Sequence, residues 1–392
     1  MPKKESIENI ITRHSAFVQR LIPQLSRDAI ELIDSRNPEL IGELSLWLDK
    51  NDSINLTAKQ TQQFEVLRNK VTRIRGGAIE KASVNYQKQM IDVASKEQLF
   101  TATAIEGIGV KTLAIPSLSA VEKMVTRTPF EGEAIGGMYK SLSVSDADRI
   151  VSTVTQGLGA GLTKAEIQNS VFGTKAFAYT DGVLELTRLA INRPNSNNSG
   201  MVRTSINGVQ NSSRRQLFEA NSDIISRWMV LATLDGRTTN YCASQDGTVY
   251  KMGEGPSFPA HYNCRTQESP IIDGFEIEST RPYVMDTRTR KEREKDFTAT
   301  IKEDGGTIKA QRAKWAKQRV GQVSDKVHFT GWFDDATVGF QKEYLGSTKY
   351  KLWKDGGMKF NEFSDPLAKN YTISQLYAIN PKAFKRAGVA IN

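Results

Sequence analysis

The sequence predicts an α+β fold in which helices dominate, and three observations carry that expectation. Apolar residues recur at three- and four-residue steps through the first hundred positions, the period of an amphipathic helix. The run IISRWMVLATL (224–234) is apolar and free of helix breakers, so it reads as a buried strand. Asp-Gly pairs at 235–236 and 246–247 then mark tight turns, which places a small sheet in the middle of the chain.

A chain of 392 residues exceeds the ~250–300 at which a single core stops growing, so it holds two or three domains or one elongated body. Texture divides it into an N-terminal helical region (1–100), a loop-rich arm (101–135), a central α+β domain (136–272), a charged helix-prone segment (273–320) and an aromatic-rich C-terminal region (321–392). In the first region Ile10, Ile11, Phe17, Leu21, Ile30 and Ile33 define the apolar stripe. Pro23 must kink or divide it, because proline has no N–H to donate and its ring clashes with the preceding turn. His14 reads as a boundary histidine rather than a ligand. A second stripe holds Phe64, Leu67, Val71 and Ile74.

From Thr101 small residues, Gly and Pro predict an extended arm. The stretch 143–173 predicts two short helices, the first with Ser145 as N-cap and Ile150, Val151, Val154 and Leu158 inward. The second carries Ile167 and Val171 and opens on a Thr163/Glu166 capping box. NRPNSNNSG (192–200) is a polar loop, followed by a helix with Arg203, Arg214 and Arg215. The second Asp-Gly pair joins YCASQ to TVYKM as an expected hairpin. Near the C-terminus Phe329, Trp332, Phe333, Phe340, Tyr344 and Trp353 read as the core of a small unit ahead of a platform for stacking nucleobases.

Charge points to polyanions. The chain carries +9, with a pI of about 9.3. Between 281 and 360 stand 18 Lys and Arg against 11 Asp and Glu, so +7 of the excess falls there. Arg288, Arg290, Lys291, Arg293, Arg312, Lys314, Lys317 and Arg319 are the candidate DNA-facing residues; the alternative is a solvated helix face. No signal-peptide pattern follows the N-terminus, and no run approaches the ~18 apolar residues that cross a bilayer. Two cysteines make no disulfide framework, and a reducing cytoplasm is the expected place of synthesis.

Both cysteines and one of three histidines fall in LDGRTTNYCASQDGTVYKMGEGPSFPAHYNCRTQ (234–267). One reading is a metal site of Cys242, His261 and Cys264, with Asp235 completing a tetrahedron and zinc as the suited ion. The Cys-x18-His-x2-Cys spacing lacks the paired Cys-x2-Cys knuckle of zinc fingers. A second reading pairs a cysteine nucleophile with His261, although no nucleophile elbow surrounds either cysteine. Nor does GLGAGL, set between helices, form a phosphate-cradling loop. The third is architectural: a turn at Asp235, Arg237 and Thr238, with Arg265 clasping Asp235 or Asp246.

The same stretch resembles the signature of the phage Mu F-like minor head proteins, also called phage head morphogenesis proteins. The matching residues are Asp235, Arg237, Thr238, Cys242, Asp246, Gly247, Pro259, His261, Asn263, Cys264 and Arg265. TPFEGEAIGGMYKSL, GLGAGLTKAEI and VRTSINGVQN fall upstream in the family's order, and FTGWFDDATVGFQKEYLGSTKYKLWKDGGMKFNEFSD resembles the tail of its longer members, so the likeness covers roughly 128–381. Thr266 departs from it, because many members have Cys or Ser there. The resemblance implies a non-enzymatic minor capsid protein of a tailed bacteriophage, made in the host bacterial cytoplasm and resident in the virion head. Its implied partners are the portal or major capsid protein and packaged double-stranded DNA, with no membrane. Two alternatives remain at this point: a DNA-binding internal protein ejected with the genome, and a cysteine- or metal-dependent enzyme.

Overall fold

A computed structural model describes residues 6–51, 58–130, 132–174, 181–191, 200–272, 274–275, 280–304 and 307–390. Helix α1 (Ile7–Val18) opens where the Ser6 hydroxyl accepts the Asn9 N–H, satisfying one of the amides left open at a helix start. A three-residue 3₁₀ turn separates it from α2 (Ile22–Asp34), and Pro23 sits in the first turn of α2, where a missing N–H costs nothing. Ile11 and Ile33 are buried as the stripe requires. Phe17 and Leu21, expected beside them, are 58% and 40% exposed: α1 buries Ile7, Ile11, Ser15 and Val18, so Phe17 lies off that face, and Leu21 falls in the 3₁₀ turn, which buries no residue.

Helices α3 (Asn37–Leu48) and α4 (Ala58–Val71) follow, and α4 passes through one wide π turn (72–76) into α5 (Gly77–Glu106). Leu67, Val71 and Ile74 are buried, with Phe64 packed beside them, as the second stripe predicts. At 30 residues α5 is about 45 Å long and forms the spine of the helical part. The expected arm is corrected here: α5 runs on past Thr101, α6 (Leu118–Arg127) lies within the same stretch, and 107–117 is the non-helical link between them. Thr101, Ala102 and Ile105 are buried, so packing overrides the weak local signal of small residues.

The first of the two short helices expected at 143–173 is likewise corrected. Helix α7 (Ile135–Gly159) passes straight through Ser145, whose hydroxyl bonds back to the Leu142 carbonyl instead of capping. Leu142, Asp146 and Ala147 are all buried, which holds the helix continuous across a sequence rich in cap-forming residues. Ile150, Val151, Val154 and Leu158 do point inward. Helix α8 (Lys164–Phe172) opens on the predicted Thr163/Glu166 capping box, with Ile167 and Val171 buried. Helix α9 (Leu184–Ile191) comes next; most of the expected loop at 192–200 lies outside the described residues. Helix α10 (Met201–Ala220) packs against α5.

Strand β1 (Arg227–Leu231), helix α11 (Asn240–Gln245), β2 (Val249–Lys251) and β3 (Gln267–Ile271) build an antiparallel sheet of order β2-β1-β3, covered by α1 and α10. Trp228 in β1 stands opposite Tyr250 in β2 and Pro270 in β3. The expected hairpin is not formed, because YCASQ is helical and β2 pairs with β1 instead. The cause is local: the Thr239 hydroxyl accepts the Cys242 N–H and caps α11.

A second ladder joins β4 (Thr280–Val284) to β5 (Val320–Ser324), enclosing the charged helices α12 (Arg290–Asp304) and α13 (Ile308–Lys317). The chain ends in five short helices: α14 (Phe329–Asp334), α15 (Val338–Leu345), α16 (Ser347–Lys354), α17 (Ile373–Ile379) and α18 (Pro381–Ala387). Phe329, Trp332, Phe333 and Phe340 are buried in one cluster with Tyr344 and Trp353 against it, so these rings make a core. That core also holds Leu234 and Ala243 from the central segment.

Two buried ionic groups fasten the helices. Arg75, from the π turn, meets Asp146 at 2.8 Å and donates to Asn37, tying α5 to α7 and α3. Glu97 meets Arg214 at 2.6 Å and His14 at 3.1 Å, and His14 stacks on Phe100, which makes it a boundary residue with a structural task. Burial opposes charge on Glu97, but Arg214 and His14 outweigh it and hold its pKa at about 2. No helix among the described residues is long and apolar enough to cross a membrane.

Candidate functional site

The signature residues converge at the ends of β1, α11 and β3. As the chain leaves β1 it turns at Asp235, whose carboxylate accepts the Arg237 N–H at 2.9 Å, while the Thr238 hydroxyl bonds back to the Thr233 carbonyl. Arg265 closes the turn from the other side with two parallel bonds to Asp235, at 2.6 and 2.7 Å. Burial resists ionisation of Asp235, yet the facing Arg265, with Arg237, lowers its pKa below the ordinary value. Asp235 therefore serves the clasp, and the expectation that it completes a metal tetrahedron is corrected: among the described residues the convergent donors are Cys242, His261 and Cys264.

Asp246 is the second hub, and its partner is not Arg265. Its fully buried carboxylate accepts the Ala232 N–H at 2.6 Å, the Phe329 N–H at 2.7 Å and both Arg281 terminal nitrogens at 3.0 and 3.1 Å. One side chain thus joins β1, β4 and α14. Gly247 beside it has φ +79°, and a Cβ there would meet the His328 ring at 2.4 Å, so the second Asp-Gly pair is fixed by packing as well as by backbone conformation.

Between the hubs lie the thiols. Cys242 Sγ is 3.8 Å from Cys264 Sγ and 3.4 Å from His261 Nε2. His261 Nδ1 stands 2.9 Å from the Tyr262 carbonyl, which can only accept, so Nδ1 carries the proton and Nε2 presents its lone pair to the sulfurs. The Cys264 N–H bonds the His261 carbonyl at 3.1 Å, and Asn263 between them takes a left-handed φ of 61°, which brings His261 and Cys264 onto one side of a tight turn. Pro259 follows Phe258 through a cis peptide bond at the start of this turn. Burial disfavours a thiolate at Cys264, but the hydrogen bond from the Cys242 thiol outweighs it, and the Cys264 pKa lies well below the ordinary value. The Cys242 thiol, as donor to Cys264, is pushed up. Arg203 crowds Arg237 and Arg265; burial and these like charges lower its pKa.

No family model, curated protein or solved structure matches the chain. What the site can do is read from its own geometry. A cavity of about 10 Å³ adjoins Cys242 and His261, bounded also by Thr239, Asn263, Arg237 and Arg265. That volume holds about one water. A small ion or water has space there beside Cys242 and His261.

Helix α10 supplies Thr204, which lies in the family-like VRTSINGVQN stretch, and two residues that the sequence reading did not single out, Asn207 and Asn211. Thr204, Asn207 and Asn211 lie three and four apart on one face, all buried. The Thr204 hydroxyl accepts the Asn263 N–H, Asn207 and Asn211 donate to the Thr266 carbonyl, and Asn211 accepts the Glu268 N–H. This ladder holds the His261–Cys264 turn against the helix. Its signal was legible as a polar stripe at helical spacing inside VRTSINGVQN.

The candidate DNA-facing residues divide into two groups. Arg288 pairs with Asp286 and Asp296, Arg312 with Glu294, and Arg319 with Asp286 and Asp296. Arg312 also lies over Phe297, Arg319 over Trp315 and Arg293 over Phe340. Arg290, Lys291, Lys314 and Lys317 are exposed along α12 and α13.

Proposed function

We propose that this chain is a minor head protein of a tailed bacteriophage, acting in head morphogenesis at the portal or inner capsid face. One observation supports the reading above the others: the signature residues, spread over thirty positions, gather into one knot of clasp, hub and thiol cluster around buried Asp235, Asp246, Cys242 and Cys264. Such a knot suits a scaffold that must keep its shape against a larger assembly. The adjoining 10 Å³ cavity suits a structural role better than turnover of a substrate.

Mass spectrometry of purified virions and of empty proheads, from a phage carrying this gene, tests the proposal. The chain is expected in both particles at low copy number. Its absence from both, or normal infectious DNA-filled heads after its deletion, would refute the reading.

A second reading, DNA binding, is favoured by the +7 net charge of 281–360. Its support is reduced by the three arginines already held in ion pairs. It requires affinity for duplex DNA that falls steeply with salt.

A further inference from the structure

Four buried carboxylates among the described residues are closed by arginines: Asp235 by Arg265, Asp246 by Arg281, Glu97 by Arg214 and Asp146 by Arg75. Cys242, His261 and Cys264 differ in kind. They offer three soft or borderline donors whose ligating atoms all lie within 4.8 Å of one another, with both cysteines buried.

The spacings match those of a coordinated ion. A tetrahedral zinc with bonds of ~2.3 Å to sulfur and ~2.0–2.1 Å to nitrogen sets two sulfurs about 3.8 Å apart, and sulfur and nitrogen about 3.6 Å apart. Here the sulfurs are 3.8 Å apart, and Cys242 Sγ is 3.4 Å from His261 Nε2. A disulfide instead needs the sulfurs to close to about 2.05 Å.

The ring is also oriented for a metal. The Nδ1–H bond to the Tyr262 carbonyl fixes the tautomer and leaves Nε2 as donor, the outer arrangement that metal-bound histidines use. Charge agrees: two thiolates neutralise a divalent cation, so the filled site would bury no net charge. Only the fourth position lacks a protein ligand, and there the cavity of about 10 Å³ meets Cys242 and His261.

We propose that this chain binds one zinc ion through Cys242 Sγ, Cys264 Sγ and His261 Nε2, with a water from the adjoining cavity in the fourth position. The ion displaces the protons still held by the thiols, which pass to solvent, and no redox change occurs. Its structural effect is to pin α11 to the turn at 261–264. The proposal stands apart from the head-protein reading, since it rests on these three donors alone.

The test uses the full chain purified under reducing conditions. Elemental analysis should find about one zinc per chain. Replacement by Co²⁺ should give the visible bands of a tetrahedral site with thiolate charge-transfer absorption in the near ultraviolet. Competition against a chromophoric chelator should show affinity reduced more than about 100-fold in Cys242→Ser, Cys264→Ser and His261→Ala, because loss of a ligand exceeds the ~10–100-fold cost of losing an outer partner. The wild-type measurements need no variant to fold. The proposal is overturned if reduced, folded wild-type chain retains and takes up less than about a tenth of an equivalent of Zn²⁺ or Co²⁺. It is equally overturned if the native chain carries a Cys242–Cys264 disulfide, seen as a mass lower by two hydrogens, and binds no metal after reduction.

Discussion

Replacing Asp246 should unfasten the centre of the molecule, and the size of the loss follows from its partners. The carboxylate receives four hydrogen bonds, two from backbone amides and two from Arg281, whose side chain is 4% exposed. Asp246→Ala leaves that guanidinium buried without its counter-charge, a loss of about 3–5 kcal/mol. The Ala232 and Phe329 amides lose their acceptor as well, so the upper end of that range is expected. Asp246→Asn is not a gentle change here. Every group facing the carboxylate is a donor, so the new amide would turn its own N–H groups toward donors. Urea unfolding, followed by tryptophan fluorescence with Trp332 in the C-terminal core, should show the midpoint falling by more than about 1 M, for m values of ~1–3 kcal/mol/M. The double variant Asp246→Ala/Arg281→Met should recover part of the loss, because an apolar pair buries no charge. A loss under about 1 kcal/mol for both single variants would show that the hub does not hold these elements together.

Glu268 gives a pH signature. Burial raises its pKa to about 7, against an ordinary 4.5, even with Arg215 beside it. Between those values the folded chain holds a proton that the unfolded chain has released, so stability should fall as pH rises from about 4.5 to 7 and level off above. In Glu268→Gln this component of the slope should vanish, and urea midpoints across pH 4–8 for both proteins check it. Gly247→Ala should cost about 1–3 kcal/mol in the same assay, since the new methyl must displace the His328 ring. If 281–360 meets DNA, Lys291→Ala/Lys317→Ala should flatten the salt dependence of binding more than Arg288→Ala/Arg312→Ala, whose guanidiniums already face carboxylates. Fluorescence anisotropy with duplex DNA over a salt series reads the two slopes.

Much of the architecture was legible where periodicity and cap agreed. Thr163 and Glu166 opened a helix as their spacing required, and Leu67, Val71 and Ile74 found the core. Failures came where burial overrode a local signal. Ser145 has the sequence of a cap, but Asp146 next to it is buried against Arg75, so α7 runs through. YCASQ next to an Asp-Gly pair suggested a hairpin, and one cap at Thr239 made it a helix. In the site, residue types offered Arg265 a clasp on either Asp235 or Asp246 and made Cys242, His261 and Cys264 one candidate cluster; the fold chose Asp235 for the clasp and brought the three donors together. The role of Asp246 could not be read from residue types, because its partner Arg281 lies 35 residues away in a strand that the charged segment concealed.

The aromatic C-terminal core closes over Leu234 and Ala243, while Tyr344 donates to the Thr238 carbonyl and Asn240 bonds Asn370. Any recombinant fragment cut at the compositional boundary near 320 would therefore expose two buried apolar residues and strand Asp246 without its Phe329 amide. Such a fragment is expected to aggregate or to be clipped by proteases. Dissection of this protein should thus keep the last seventy residues attached to the cysteine-bearing turn and place its cuts elsewhere.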